Sequence, residues 1–222
     1  MLSSNNFIGI YKFCIILTLP IIVIPPCRSD SQFSSIMNGD ELKISTTPDL
    51  IGRRIYLRPA IPDDYLITYA WFLKCGPSSQ TCRPVTLTTP EEMAARQRSK
   101  EKTTDRSDFV MVSKKTHQLV GKLAFFNLNL LNRSAELGYI VAPESQRQGF
   151  AREGLILLIS YLFRQLDLNK VYAQTGSFNT ASVSLLESLG FKRDAVLRRH
   201  HFHNGEFHDD YIYSLLKTEC NF

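Results

Sequence analysis

P-E-S-Q-R-Q-G-F-A-R-E-G-L-I-L-L-I-S-Y-L-F-R-Q-L, residues 143–166, is the stretch around which the rest of the chain is organised. Just upstream, Leu137-Gly138-Tyr139-Ile140-Val141 gathers aromatic and β-branched residues in a short run stopped by Pro143, the pattern of a strand. Downstream, Ala151, Leu155, Leu158, Leu162 and Leu166 recur at three- and four-residue steps, the apolar stripe of a helix packed on a sheet. Between the two lies a polar turn, Gln146-Arg147-Gln148-Gly149-Phe150-Ala151, with Arg152 just after it. The first N–H groups of a helix have no internal acceptors and carry the positive end of its dipole, so a turn with few bulky side chains there can wrap a phosphate. The stretch reads as a pyrophosphate cradle.

Outward from the cradle, strand and helix patterns alternate. Arg54-Ile55-Tyr56-Leu57-Arg58-Pro59 alternates charged and apolar residues, as a half-buried strand does. Asp63 and Asp64 open a helix through Phe72, and Thr88-Thr89-Pro90-Glu91-Glu92 is the start signal of a second one. Residues 109–112, 119–126 and 135–141 predict three strands joined by short polar turns, an antiparallel meander. After the cradle helix, residues 170–175 predict a strand parallel to the one before the cradle, because a helical crossover lies between them. A helix follows from Asn179 to Leu189, then a strand pair over 191–199 and 207–215 with Asn204-Gly205 as the hairpin signal. The expected fold class is α+β: a single mixed, mostly antiparallel twisted sheet with helices on both faces.

The 222 residues suit one domain with extensions, divided here as 1–36, an apolar extension; 37–52, a leader; and 53–219, the domain itself. A net charge of +5 without a long run of Lys and Arg does not describe a nucleic-acid stripe. Five cysteines, with no C-x-x-C pair, fit reduced thiols in a cytosolic protein, although Cys75 and Cys82 could approach each other across their loop. The apolar run at residues 13–24 is shorter than the roughly 20 residues of a spanning helix and contains Pro20. It leaves three readings open: a dispensable segment upstream of a start at Met37, a signal peptide, or an anchor that would bring the chain to a membrane.

Three features together resemble the GNAT superfamily of N-acetyltransferases, and within it the branch that acetylates the N-termini of ribosomal proteins. Gln146-x-x-Gly149-x-Ala151 is similar to the superfamily's pyrophosphate loop; Asn179-Thr180-Ala181-Ser182 with Leu189-Gly190-Phe191 resembles its next strand-helix unit; and Gly205-Glu206-Phe207-His208-Asp209 resembles the closing strand of that branch. The resemblance implies acetyl-CoA as the acetyl donor and an amine as the acceptor. It implies that the pantetheine arm lies where the strands ending at Val141 and beginning at Lys170 splay apart, with a backbone N–H near Ile140 or Val141 facing the thioester oxygen. Gln148, Gly149 and Ala151 would then offer N–H groups to the pyrophosphate, within a binding stretch of Gln146, Arg147, Gln148, Gly149, Phe150, Ala151 and Arg152.

Transfer needs a neutral amine. At pH 7 roughly a tenth of an α-amine but under a thousandth of a lysine amine is neutral, so an α-amine asks less of a base. Candidate bases are Glu136, acting through water, and His201, where the ribosomal branch often carries a carboxylate. Many superfamily members have a tyrosine where Leu186 stands; the ribosomal branch implies instead that Ser182 protonates the leaving thiolate. Asn179 caps the same helix and orders the cofactor wall. Four of the five histidines, His200, His201, His203 and His208, lie close in sequence, but alternating strand faces and a tight turn make a poor metal cage. The expected activity is direct acetyl transfer to the α-amine of a protein or peptide, including a peptide natural product. A small amine such as a polyamine or aminoglycoside is the alternative, with Asp63, Asp64, Asp209 and Asp210 available for an acidic cleft. A protein that binds acetyl-CoA without turnover is the second.

Overall fold

The computed structural model describes residues 50–74, 88–99 and 104–222. The expectations for residues 1–49, including the apolar run and Met37, and for the loop carrying Cys75 and Cys82 lie outside these residues. Among the described residues no helix is long and apolar enough to cross a membrane.

Among the described residues, seven strands form one sheet: β1 (Ile55–Pro59), β2 (Ser107–Ser113), β3 (Leu119–Asn129), β4 (Ser134–Val141), β5 (Lys170–Gly176), β6 (Lys192–His203) and β7 (Glu206–Leu216). Their order is β1-β2-β3-β4-β5-β7-β6, antiparallel everywhere except between β4 and β5. The α-helices among the described residues are α1 (Asp64–Lys74), α2 (Pro90–Ser99), α3 (Phe150–Arg164) and α4 (Thr180–Ser188). The fold class is as the sequence predicts, and the parallel pair is the one that needs the α3 crossover.

Local signals act where they were read. Glu92 N donates to Thr89 Oγ1 and Thr89 N to Glu92 Oε2, both at 3.1 Å, a reciprocal cap on α2. Asn204 and Gly205 form the two-residue loop between β6 and β7 with φ of 51° and 85°, the left-handed pair such a hairpin requires. The closing strands run further than expected, to His203 and from Glu206, because that tight loop lets pairing continue to its edge.

The two sheet faces differ in kind. Leu123, Phe125, Leu137, Val171, Tyr213 and Leu215 form one apolar core with Leu155, Leu158, Ile159 and Leu162 of α3 and Leu186 of α4. Side chains alternate along a strand, so Lys122, Ala124 and Phe126 of β3 and Glu136, Gly138 and Ile140 of β4 belong to the opposite face. There α1 lies, with the Tyr65 ring 4.1 Å from Lys122 Nζ.

Beside this break in polarity is a break in the sheet. β4 and β5 pair only at Ser134↔Lys170, Ala135↔Val171 and Glu136↔Tyr172. Beyond Glu136, β4 continues to Val141 beside β3, and β5 continues to Gly176 beside β7. The expected splay is therefore present.

Candidate active site

β4 leads through the turn Pro143–Ser145 into the cradle. Gly149 is the residue before α3, at φ 80°, ψ 7°, a left-handed conformation that a side chain disfavours. A Cβ there would also stand 3.2 Å from Arg54 Nη2. Arg54 holds the turn from the other side: Nη1 donates to Gln148 O at 2.8 Å, Nε donates to Glu153 Oε2 at 3.0 Å, and the guanidinium lies 4.9 Å from the Phe150 ring centroid. Glu153 Oε1 accepts from the N–H of Arg54 at 2.7 Å. Burial alone would raise the Glu153 carboxyl, but the bonds from Arg54 outweigh it and hold the group below its usual value. Gln146, Arg147, Gln148 and Arg152 are exposed, and Phe150 and Ala151 are half-buried. A left-handed glycine, a helix start and a cation beneath the turn fit an anion such as a pyrophosphate. Arg54 escaped sequence reading because its partners are about a hundred residues away.

The splay opens a cavity of about 390 Å³ lined from both faces of the sheet. Tyr139, Ala173, Thr175, Asn179 and Ser182 line one side; Lys122, Phe126, Glu136, Gly138, Ile140 and Gln174 line the other, with Arg106, Asp108 and Phe72. Gly138 leaves room for Phe126, whose ring would be 3.1 Å from a Cβ at that position.

Glu136 sits at the apex of the divergence and is buried, with Oε2 accepting from Asn127 Nδ2 at 2.7 Å. Across the sheet, the Tyr139 and Ser182 hydroxyls are 2.7 Å apart. Burial pushes the Tyr139 phenol up to about 12, the opposing bond with Ser182 notwithstanding, so it stays protonated at neutral pH. Asn179 Oδ1 accepts from Ser182 N at 3.2 Å and caps α4. Sequence reading named Glu136, Ser182 and Asn179 but missed Tyr139; the alternating face of the strand was the only signal for it.

Backbone direction narrows the pair Ile140 and Val141. Ala142 N donates to Val120 O at 3.0 Å, so Ala142 faces β3. Consecutive extended residues point their N–H groups to opposite sides; Ile140 therefore also faces β3, and Val141 and Tyr139, beyond the last pair of β4 with β5, face the gap.

His201 does not line the cavity. It is buried against the Phe178 ring, with centroids 4.9 Å apart, and its Nδ1 is 3.2 Å from Asp210 Oδ1. Phe178 also stacks on His203, with ring centroids 4.2 Å apart. Among the described residues, the four carboxylates expected to supply an acidic cleft are engaged elsewhere. Asp63 pairs with Arg98, Asp64 is held by both Arg58 guanidinium nitrogens at 2.6 and 2.7 Å, Asp209 accepts from Arg199 N at 2.8 Å, and fully buried Asp210 accepts from Gln174 Nε2 at 2.8 Å. None of the four lines the cavity.

The chain is similar to several known proteins. The chain is 38% identical over 102 residues to the uncharacterized N-acetyltransferase YoaA of Bacillus subtilis (strain 168), covering 46% of this chain and 58% of that protein. It is 37% identical over 101 residues to the putative ribosomal N-acetyltransferase YdaF of the same organism, covering 46% and 55%. These matches thus span 58% and 55% of the relatives' own lengths. In three dimensions it is similar to the spermidine N-acetyltransferase from Vibrio cholerae solved with CoA and spermine, with a TM-score of 0.66 and 25% identity over 75% of this chain and 97% of that one. A family model described as Acetyltransferase (GNAT) domain matches residues 54–192. The chain belongs to the GNAT acetyltransferase family.

Proposed function

We propose that the protein is an acetyl-CoA-dependent N-acetyltransferase that transfers acetyl directly to the α-amine of a protein or peptide. The observation that carries this reading is the cavity at the β4–β5 divergence, with a buried carboxylate at its apex and a hydrogen-bonded hydroxyl pair on the opposite wall. Acetyl-CoA supplies an activated acyl carbon and a thiol leaving group. In this reading the cradle at Gln146, Arg147, Gln148, Gly149, Phe150, Ala151 and Arg152 holds the diphosphate, and Val141 directs its N–H toward developing oxyanion charge, an arrangement worth a few kcal/mol in general.

Glu136 takes the proton that the amine nitrogen loses as its bond to the acyl carbon forms, through a water. Ser182 gives its hydroxyl proton to the sulfur as the carbon–sulfur bond breaks and is reprotonated, through water, by the proton that the amine released. With Tyr139 as the donor to Ser182 Oγ, the serine proton is directed away from the tyrosine. His201, packed outside the cavity, has no part in this path. Our reading puts the protein in the cytosol, one of the compartments where acetyl-CoA is available.

A small-amine acceptor is the second reading, favoured by the resemblance to a spermidine acetyltransferase crystallised with spermine. The charged lining argues for the α-amine: among the described lining residues Arg106 and Lys122 offset Asp108 and Glu136, with no acidic excess for a polycation. The test is release of free CoA thiol across a panel of peptides, polyamines and aminoglycosides. Release with unblocked peptides above every small amine is the expected result, and faster release with spermidine than with any peptide would favour the second reading. No release from the whole panel, beside tight acetyl-CoA binding by calorimetry, would leave a non-catalytic binder.

A further inference from the structure

Resting on the reading of Glu136 as the base for an α-amine, we propose that Asn127 is the positioning residue of that base: a bulge in β3 turns its amide across the sheet to hold the Glu136 carboxylate.

The side-chain pattern of β3 carries the bulge. Leu123 and Phe125 belong to the apolar core, and the next residue of the strand packed against that core is Leu128, a step of three where a regular strand takes two. The pairing with β4 agrees. Phe126 stands opposite Glu136 and Asn129 opposite Ser134, so β3 spends three residues where β4 spends two, and the register shifts between those pairs. Asn127 is the extra residue.

Its backbone is left-handed, with φ 53°, a conformation that asparagine accepts more readily than most residues with a side chain. Both flanks are fixed, Phe126 by its pairing with Glu136 and Leu128 by donating its N–H to Asp105 O at 3.1 Å. In a regular strand residue 127 would follow Leu123 and Phe125 into the core. Instead its Nδ2 donates to Glu136 Oε2 at 2.7 Å. An ionised carboxylate only accepts, so the amide nitrogen is the end of the side chain that serves it.

For a base the bond has two effects. It fixes the carboxylate at the apex of the β4–β5 gap, and it favours the ionised form, which is the form able to take a proton. Glu136 is buried, and a donor there replaces hydration that the carboxylate has lost. Asn127 does not line the cavity, so it acts through Glu136 without meeting the acceptor.

The experiment uses Asn127→Gly and Asn127→Asp in the full chain, because both residues suit the left-handed backbone while removing the amide donor. The Glu136 carboxyl is titrated by carbon-13 NMR, its signal assigned by its loss in Glu136→Gln. Without the donor in Asn127→Gly the midpoint should rise by about one pH unit, a ten-fold gain in proton affinity. Asn127→Asp sets a second carboxylate against Glu136 and should raise the upper midpoint of the pair further. The other titratable and charged groups around the site are Arg106, Asp108 and Lys122 on the cavity wall, Tyr65 of α1, Tyr172 paired with Glu136, and Tyr139 across the sheet. They are the same in all three proteins, so the differences report residue 127. Thiol release with a peptide acceptor should show kcat lowered about ten-fold near pH 6 in Asn127→Gly, the loss shrinking as pH rises, with the KM for acetyl-CoA little changed. Unchanged midpoints in both variants, or a loss of kcat equal at every pH, overturn the inference while the α-amine reading stands. Should no acceptor release thiol, or Glu136→Gln release it at the wild-type rate, the reading of the base fails and the titration decides alone: raised midpoints support the hold of Asn127 on the carboxylate, and unchanged ones overturn it.

Discussion

The Tyr139–Ser182 pair joins a strand to a helix that the sequence separates by 43 residues, and its chemistry follows from which hydroxyl donates. Because Tyr139 stays a phenol to about 12, it can hold the serine oxygen throughout the working pH range. Tyr139→Phe should lower kcat about three- to ten-fold, the value of one hydrogen bond, with little change in acetyl-CoA affinity. Ser182→Ala should do at least as much, and the double variant no more than Ser182→Ala, as measured by steady-state kinetics; additive losses would mean that the two hydroxyls act separately. Asp108 makes a different prediction. Its carboxyl is depressed from 3.8 to about 2, so its contribution to stability is complete above about pH 4 and is lost as pH falls through 2. That difference is worth about 2 kcal/mol, and Asp108→Asn should remove this part of the acid dependence in denaturant titrations run between pH 5 and 2.

The cradle and β4 are the elements whose geometry departs from regular structure. Gly149→Ala places a side chain in a left-handed conformation that costs about 1–2 kcal/mol and crowds Arg54. Acetyl-CoA binding, measured by calorimetry, should weaken about ten-fold, with a smaller loss in Tm. Along β4, the N–H groups of Tyr139 and Val141 face the gap where β5 has diverged. They should exchange with deuterium faster than those of Gly138 and Ile140 in the free protein and become protected when CoA is added; equal protection without ligand would contradict the assigned directions. These elements also show what the sequence could and could not convey. The strand, the glycine turn and the apolar stripe of α3 are patterns within a few tens of residues, and they were legible. Arg54 under the turn, Tyr139 against Ser182 and the burial of His201 against Phe178 depend on register between distant segments, which local periodicity does not encode.

At the scale of the molecule, α3 and α4 share one apolar core with the sheet, so a cavity made there is felt globally. Leu158→Ala should cost about 2–5 kcal/mol of unfolding free energy in denaturant while leaving the cavity-lining groups in place. Alternating strand and helix patterns and the crossover rule were enough to reach a mixed sheet with a single parallel pair; the insertion of β7 between β5 and β6 was not legible, since either closing strand could have met β5. The short β4–β5 pairing has a mechanical side. Of all the strand junctions it is the shortest, three residue pairs joining β1–β4 to β5, β7 and β6. Under tension applied across the sheet it is the seam that yields first, and a molecule threaded along the gap, bonded to both banks, works as a rivet. Pulling measurements with handles on β3 and β7 should therefore register a higher rupture force once CoA is bound, with the increase lost in Gly149→Ala at the same CoA concentration.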